Sequence, residues 1–141
     1  MSSYVWPTGQ DRHKVDAVKL EQDLNSPYVS DSISATSATG TIAAIDVPAG
    51  SIVHKTGIWA TTAIAGADID LGDGVVVDRY LDGVTTVALN DIKCSGVAGA
   101  VGADPVMAHY YSSADSIDVV INSTGSTGAF KVLAWVTSLN D

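Results

Sequence analysis

The chain has 141 residues and a mass of 14.5 kDa, with 46% hydrophobic and only 16% charged residues, which suits one folded domain and is too apolar for a disordered chain. A net charge of −9 and a pI near 4.4 argue against docking on nucleic acid or an anionic membrane, and a single cysteine, Cys94, excludes an intrachain disulfide and a multi-cysteine zinc site. No stretch approaches the roughly 18–20 unbroken apolar residues of a membrane span, and MSSYVWPTGQDRHK lacks the pattern of a secretory signal.

Two regions are expected. Residues 1–31 hold Arg12, Lys14 and Lys19 against Asp11, Asp16, Glu21, Asp23 and Asp31, leaving −2. Residues 32–141 hold Lys55, Arg79, Lys93 and Lys131 against eleven aspartates and no glutamate, leaving −7. Glutamate and lysine suit helices, whereas Val, Ile and Thr favour strands and Gly, Asp and Ser favour turns. The first region reads as an N-terminal arm and the second as an all-β body. Within the arm, His13, Ala17, Leu20 and Leu24 form a thin helical stripe, with Thr8 as a cap and Asn25 and Pro27 as a stop. A short helix over Asp11–Leu24 and an extended arm ordered by a partner both remain open.

In the body the period changes to two. Thr41–Val47 alternates, Val47-Pro48-Ala49-Gly50 turns, and a long strand is expected from Ser51 to about Ile64. Gly57 in its middle suggests a bulge or a close backbone crossing. Leu71-Gly72-Asp73-Gly74 reads as a hairpin turn between Asp68–Leu71 and Val75–Tyr80, and Asp82-Gly83 as a turn before a strand Val84–Leu89. The glycine-rich stretch Ser95–Ala103 reads as a loop. Strands follow at Val106–Tyr111 and Ile117–Asn122. The last, Ala129–Leu139, places Phe130, Val132, Ala134 and Val136 on one face and Leu133 and Trp135 on the other. Many short strands with frequent turns and no intervening helices define a β-sandwich of jelly-roll-like type. The last strand is apolar on both faces, although a sheet in a small sandwich buries only one. Leu133 and Trp135 therefore lie under a loop or meet another subunit, and an oligomer is expected.

The same residues carry no recognisable catalytic pattern. No G-x-S-x-G elbow occurs, and Cys94-Ser95-Gly96 matches no thiol-protease signature. His54 and His109 fall in strands and read as ordinary strand residues before metal ligands. Asp68-Ile69-Asp70-Leu71-Gly72-Asp73-Gly74 superficially resembles a calcium loop, but it fails the EF-hand spacing and reads better as a hairpin. The glycines at 72–74 and 96–102 open no helix of the kind that cradles phosphate. Aromatic residues at 6% are sparse for a sugar-stacking cleft. No cofactor and no enzymatic activity are expected.

Several segments carry a resemblance when taken in order. They are Ile45–Val53, Thr61–Gly74, Asp78–Gly83, Tyr111–Val119 and Thr127–Val136, spread over residues 40–139. The series resembles virion structural proteins of tailed bacteriophages, particularly capsid decoration (cement) proteins. That resemblance implies a non-enzymatic β-rich module, commonly trimeric, on the outer surface of the virion. The module would be made in the host cytoplasm and would clamp the major capsid protein shell. In that role residues 1–31 form the arm reaching a neighbouring capsid subunit. Tyr4, Val5, Trp6 and Tyr28 are its apolar anchors, and Leu133 and Trp135 belong to the capsid or subunit interface, since aromatics dominate interface energies. The competing expectation is a head-fibre or tail-associated β-sandwich that binds a host receptor or glycan, which needs Trp59 and Trp135 exposed.

Overall fold

A computed structural model describes residues 26–36, 40–95 and 108–139. The expected helix Asp11–Leu24, the anchors Tyr4, Val5 and Trp6, and all but Ser95 of the loop Ser95–Ala103 lie outside these residues. The described residues form ten strands: β1 (Tyr28–Val29), β2 (Ile33–Ser34), β3 (Ile42–Val47), β4 (Ser51–Ala65), β5 (Ile69–Gly72), β6 (Leu81–Val84), β7 (Ile92–Cys94), β8 (His109–Tyr111), β9 (Asp115–Ile121) and β10 (Thr127–Ser138). They form two antiparallel sheets. One is six-stranded, in the order β1-β10-β4-β7, with β2 also on β10 and β8 also on β4; the other is four-stranded, β3-β9-β5-β6. Among the described residues there is no helix, and the all-β sandwich expected from the sequence is what forms.

The two-residue period decides which side chains enter the core. On β10, Phe130, Val132, Ala134 and Val136 point inward and are buried, as the alternation requires. They meet Val53, Ile58 and Ala60 of β4 and, from the opposite sheet, Ile45, Val47, Ile69, Leu71, Ile117, Val119 and Ile121 in one cluster. Each of the larger side chains contributes roughly 1.5–3 kcal/mol on leaving water, so this shared cluster holds the two layers together. The β4–β10 ladder runs from Ser51↔Ser138 to Ala65↔Thr127 and is the longest pairing among the described residues.

Glycines mark two points where the backbone needs them. Gly50 sits at φ 78° after Pro48, closing the turn between β3 and β4, where its N–H donates to the Tyr111 carbonyl at 2.7 Å. Gly57 is a close crossing, as one expectation had it. A Cβ there would come within 3.2–3.3 Å of Ile92, Lys93 and Cys94.

The middle of the chain differs from the expected hairpins. β5 ends at Gly72, but Val75–Tyr80 is not a strand; the segment Asp73–Tyr80 is a connection, and β5 pairs instead with β6. Asp82-Gly83 lies within β6 rather than in a turn, with Gly83 at φ 69° beside a shift of register. Val84–Leu89 is not a strand beyond Val84; only Val87 bridges to Ile64. The physical reason is a side chain. The Asp73 carboxylate takes the N–H groups of Val75 and Val76 at 2.9 and 2.8 Å, bonds that a ladder would otherwise claim.

Candidate interaction surface

Two arrangements of functional-type side chains stand out: a buried polar cluster at one end of the sandwich and the outer face of the six-stranded sheet. The cluster is built on the Asp73–Tyr80 connection. Asp73 is 3% exposed, and both of its oxygens are occupied. Oδ1 accepts from the Val75 and Val76 backbone, and Oδ2 accepts from Arg79 Nε at 2.5 Å and from the Tyr111 hydroxyl at 2.7 Å. Tyr80 and Tyr111 share a hydroxyl contact of 2.5 Å, and Arg79 Nη1 lies 3.3 Å from His109 Nδ1. The cluster floors an open cleft of about 300 Å³ that reaches Ser112–Asp115.

The electrostatics of this cluster favour holding over chemistry. Burial alone would raise the Asp73 carboxyl, but the hydrogen bonds from Val76, Tyr111, Val75 and Arg79 outweigh it and keep it below the ordinary carboxylate value. Burial pushes the Tyr80 hydroxyl up to about 12, and burial with the Tyr80 and Asp73 contacts raises that of Tyr111 further. At neutral pH the aspartate is charged and both tyrosines are neutral, so none of the three is poised to exchange a proton. Their common effect is to lock the connection onto β8. His54 and His109 do not meet: His54 Nε2 pairs with Thr137 Oγ1 at 2.8 Å, and His109 stacks edge-on against Tyr111. Among the described residues, no group of three or more His, Cys, Asp or Glu is arranged to hold a metal ion.

The outer face of the six-stranded sheet follows from the register. Because Val132 and Ala134 point inward, Lys131, Leu133 and Trp135 point outward, as do their partners Trp59, Gly57 and Lys55. The rows continue sideways, Leu133 to Val29 on β1, Gly57 to Cys94 and Trp59 to Ile92 on β7. Lysine and tryptophan thus exchange places across the ladder: Lys55 Nζ lies 4.3 Å from the Trp135 ring centre and Lys131 Nζ 6.0 Å from that of Trp59. Leu133 is only 5% exposed, while Val29 and Ile92 are 51% and 50% exposed.

Of the residues singled out in the sequence, Tyr28, Leu133 and Trp135 are described, and all three stand on β1 and β10. Tyr28 is exposed and pairs with Ala134, so it belongs to a different row from Leu133. Lys55, Lys131, Val29 and Ile92 have no site role in the sequence reading, and Trp59 enters it only through the glycan-binding alternative. Their common signal was an outward position on adjacent strands, which is visible only once the register is known. Replacing Lys55 by alanine removes the closer cation–π contact and is expected to cost about 0.5–1 kcal/mol, read as a small fall in urea midpoint. The Lys131→Ala change, at the longer distance, is expected to cost less. An equal or reversed order would contradict the geometry.

Fold and surface together define a two-sheet antiparallel β-sandwich with an aromatic and cationic face. No family model matches the chain, and no curated protein matches it. Its fold is similar to that of a chain in the cyanophage Pam1 capsid asymmetric unit, with a TM-score of 0.51 at 11% identity over 79% of this chain and 84% of that one. A chain in the acid-stable capsid of Helicobacter pylori bacteriophage KHP30 overlaps 79% of this chain and 90% of its own length, at 14% identity and a TM-score of 0.46.

Proposed function

We propose that this chain is a non-enzymatic decoration (cement) protein of a tailed-phage head, bound as a trimer to the outside of the major capsid protein shell. The observation that carries the proposal is the likeness in fold to a capsid chain of cyanophage Pam1, which extends over most of both chains. The ordered series of segments from Ile45 to Val136 supports the same assignment from the sequence side. On this reading residues 1–31 are the arm. Tyr4, Val5 and Trp6 reach a neighbouring shell subunit, and Tyr28 lies where the arm joins the sheet. A module of this kind works by spanning subunits, so its contribution is contact area rather than chemistry.

The test uses heads of the phage that encodes the chain, stripped of bound accessory protein. The purified full chain is expected to co-sediment with them and to raise the temperature at which they rupture. Deleting residues 1–25 is expected to leave a folded body that no longer co-sediments. Retained binding by the deletion would overturn the arm, and no binding by the full chain would overturn the cement reading. A glycan-binding role in a fibre or tail has one specific observation in its favour, the outward-facing Trp59 and Trp135. It predicts binding to host polysaccharide that Trp59→Ala abolishes.

A further inference from the structure

Charge is divided between the two sheets. The strands of the six-stranded sheet carry Lys55, Lys93 and Lys131 and not one carboxylate. The strands of the four-stranded sheet carry Asp46, Asp70, Asp82, Asp115 and Asp118 and neither lysine nor arginine. In a chain of net charge −9, a carboxylate-free sheet is not what random placement gives. The cationic sheet also carries an apolar strip on its outer side, Val29, Leu133 and Cys94 in one row and Trp59 and Ile92 in the next, of which Val29 and Ile92 are exposed, Trp59 and Cys94 half-buried and Leu133 already covered. Lys55 and Lys131 stand beside it, held over tryptophan rings rather than over carboxylates.

The anionic counterpart lies at the β5–β6 edge of the other sheet, with Asp82 on β6, Asp70 on β5 and Asp68 and Asp78 in the flanking connections. Asp82 is exposed on β6, and the N–H of the next residue, Gly83, donates to Asp70 Oδ1 on the paired strand β5 at 2.9 Å, with Asp68 Oδ1 also beside Gly83; Asp70, Asp78 and Asp68 all add like charge around Asp82. Among the described residues none of these four forms an ion pair; the ion pair present is Arg79 with Asp73. Like charges held together on a rim cost free energy that a cationic surface would recover.

We propose that the Lys55–Trp135 and Lys131–Trp59 face of one copy seats the Asp68, Asp70, Asp78 and Asp82 rim of a second copy of this chain. The proposal rests on the oligomeric part of the reading above and names its contact. A face of one sheet meets an edge of the other, so the contact is heterologous. Successive copies then form a ring if their rotations close, as three would, and an open array if they do not. The apolar strip supplies the desolvated centre and the charges supply orientation and register.

The test is the mass of the purified full chain, by light scattering coupled to gel filtration at low salt. Wild type is expected at a multiple of 14.5 kDa, shifting towards that single mass as salt is raised. Lys55→Glu with Lys131→Glu is expected to run as a single chain, and so is Asp68→Lys with Asp78→Lys and Asp82→Lys. All five substitutions together set a negative face against a rim on which three lysines outweigh the remaining Asp70, which restores opposite charge and is expected to restore the mass. Circular dichroism and melting curves confirm beforehand that each variant is folded. A wild type that stays a single chain at every concentration would overturn the proposal and leave the face to a different protein. Single-sided variants that keep the wild-type mass would also overturn it, as would a folded combined variant that fails to reassociate. Co-sedimentation with heads is measured separately, so loss of capsid binding with the mass intact sinks the cement reading alone.

Discussion

Asp73→Asn is expected to lower the unfolding free energy at pH 7 by about 4 kcal/mol, the cost of breaking a buried ion pair from one side. That corresponds to a fall in melting temperature of roughly 10 °C for a domain of this size. The amide keeps one acceptor for the Val75 and Val76 N–H groups, but it turns an N–H₂ towards Arg79 Nε and the Tyr111 hydroxyl, both of which need an acceptor. The pH dependence gives a second, independent signature. Because the Asp73 carboxyl is held below its ordinary value of 3.8, its stabilisation is complete above that value and is lost as pH falls through the lower folded-state value. Asparagine does not titrate. The gap between wild type and variant should therefore be widest at neutral pH and narrow progressively below about pH 4. Asp118, which burial raises most, titrates in both proteins; only the part of its shift that comes from the Asp73 charge, the last of its causes, is lost in the variant. Urea unfolding of the two proteins at pH 7 and pH 3 decides the matter. A gap below about 1 kcal/mol at pH 7, or one unchanged at pH 3, would show that the cluster does not hold the connection.

Gly72→Ala should be nearly as damaging for a reason that has nothing to do with charge. A Cβ at this buried position would run into the carbonyls of Val76 and Val77. These are backbone atoms and cannot swing aside as a side chain would. The Val76 carbonyl also accepts the N–H groups of Asp73 and Arg79, at 2.9 and 3.3 Å. To admit one methyl group, the Asp73–Tyr80 connection must lift from β5, and the bonds gathered on Asp73 go with it. The expected loss is about 3 kcal/mol or more, at the upper end of overpacking costs. Gly66→Ala is the control. Gly66 sits at φ 67° with open space around it, so alanine there meets only the left-handed backbone penalty of about 1 kcal/mol. Similar melting temperatures for the two variants would refute the close approach.

Both predictions fall on the segment that was least legible from sequence, and the cause is the same. Val75-Val76-Val77 has the composition of a strand, and β propensity placed one there. What overrides it is a single carboxylate two residues upstream, whose partners Arg79 and Tyr111 are six and 38 residues away. No local pattern reveals such a pairing. The long strands were legible because each turn of alternation repeats the same instruction, so β4 and β10 lie close to where periodicity put them. Outward placement of Leu133 and Trp135 was legible for the same reason. The lysine–tryptophan exchange was not. It depends on which residue of β4 faces which of β10, and the ladder slips between Trp135 and Val136. A bulge of that kind changes every pairing beyond it and leaves no mark in composition.

The position of β10 has a consequence for how the molecule is made. It comes last of the described strands, yet it lies between β1 and β4, and Tyr28 finds its partner in Ala134. During synthesis the long edge of β4 therefore waits, unpaired, for residues emerging more than sixty positions later, a delay typical of chains whose contacts are distant in sequence. A product cut short before Thr127 has no Trp135 to receive Lys55 and no Leu133 to lie against Gly57. The outer face thus certifies progress: only a chain extended through β10 can display it.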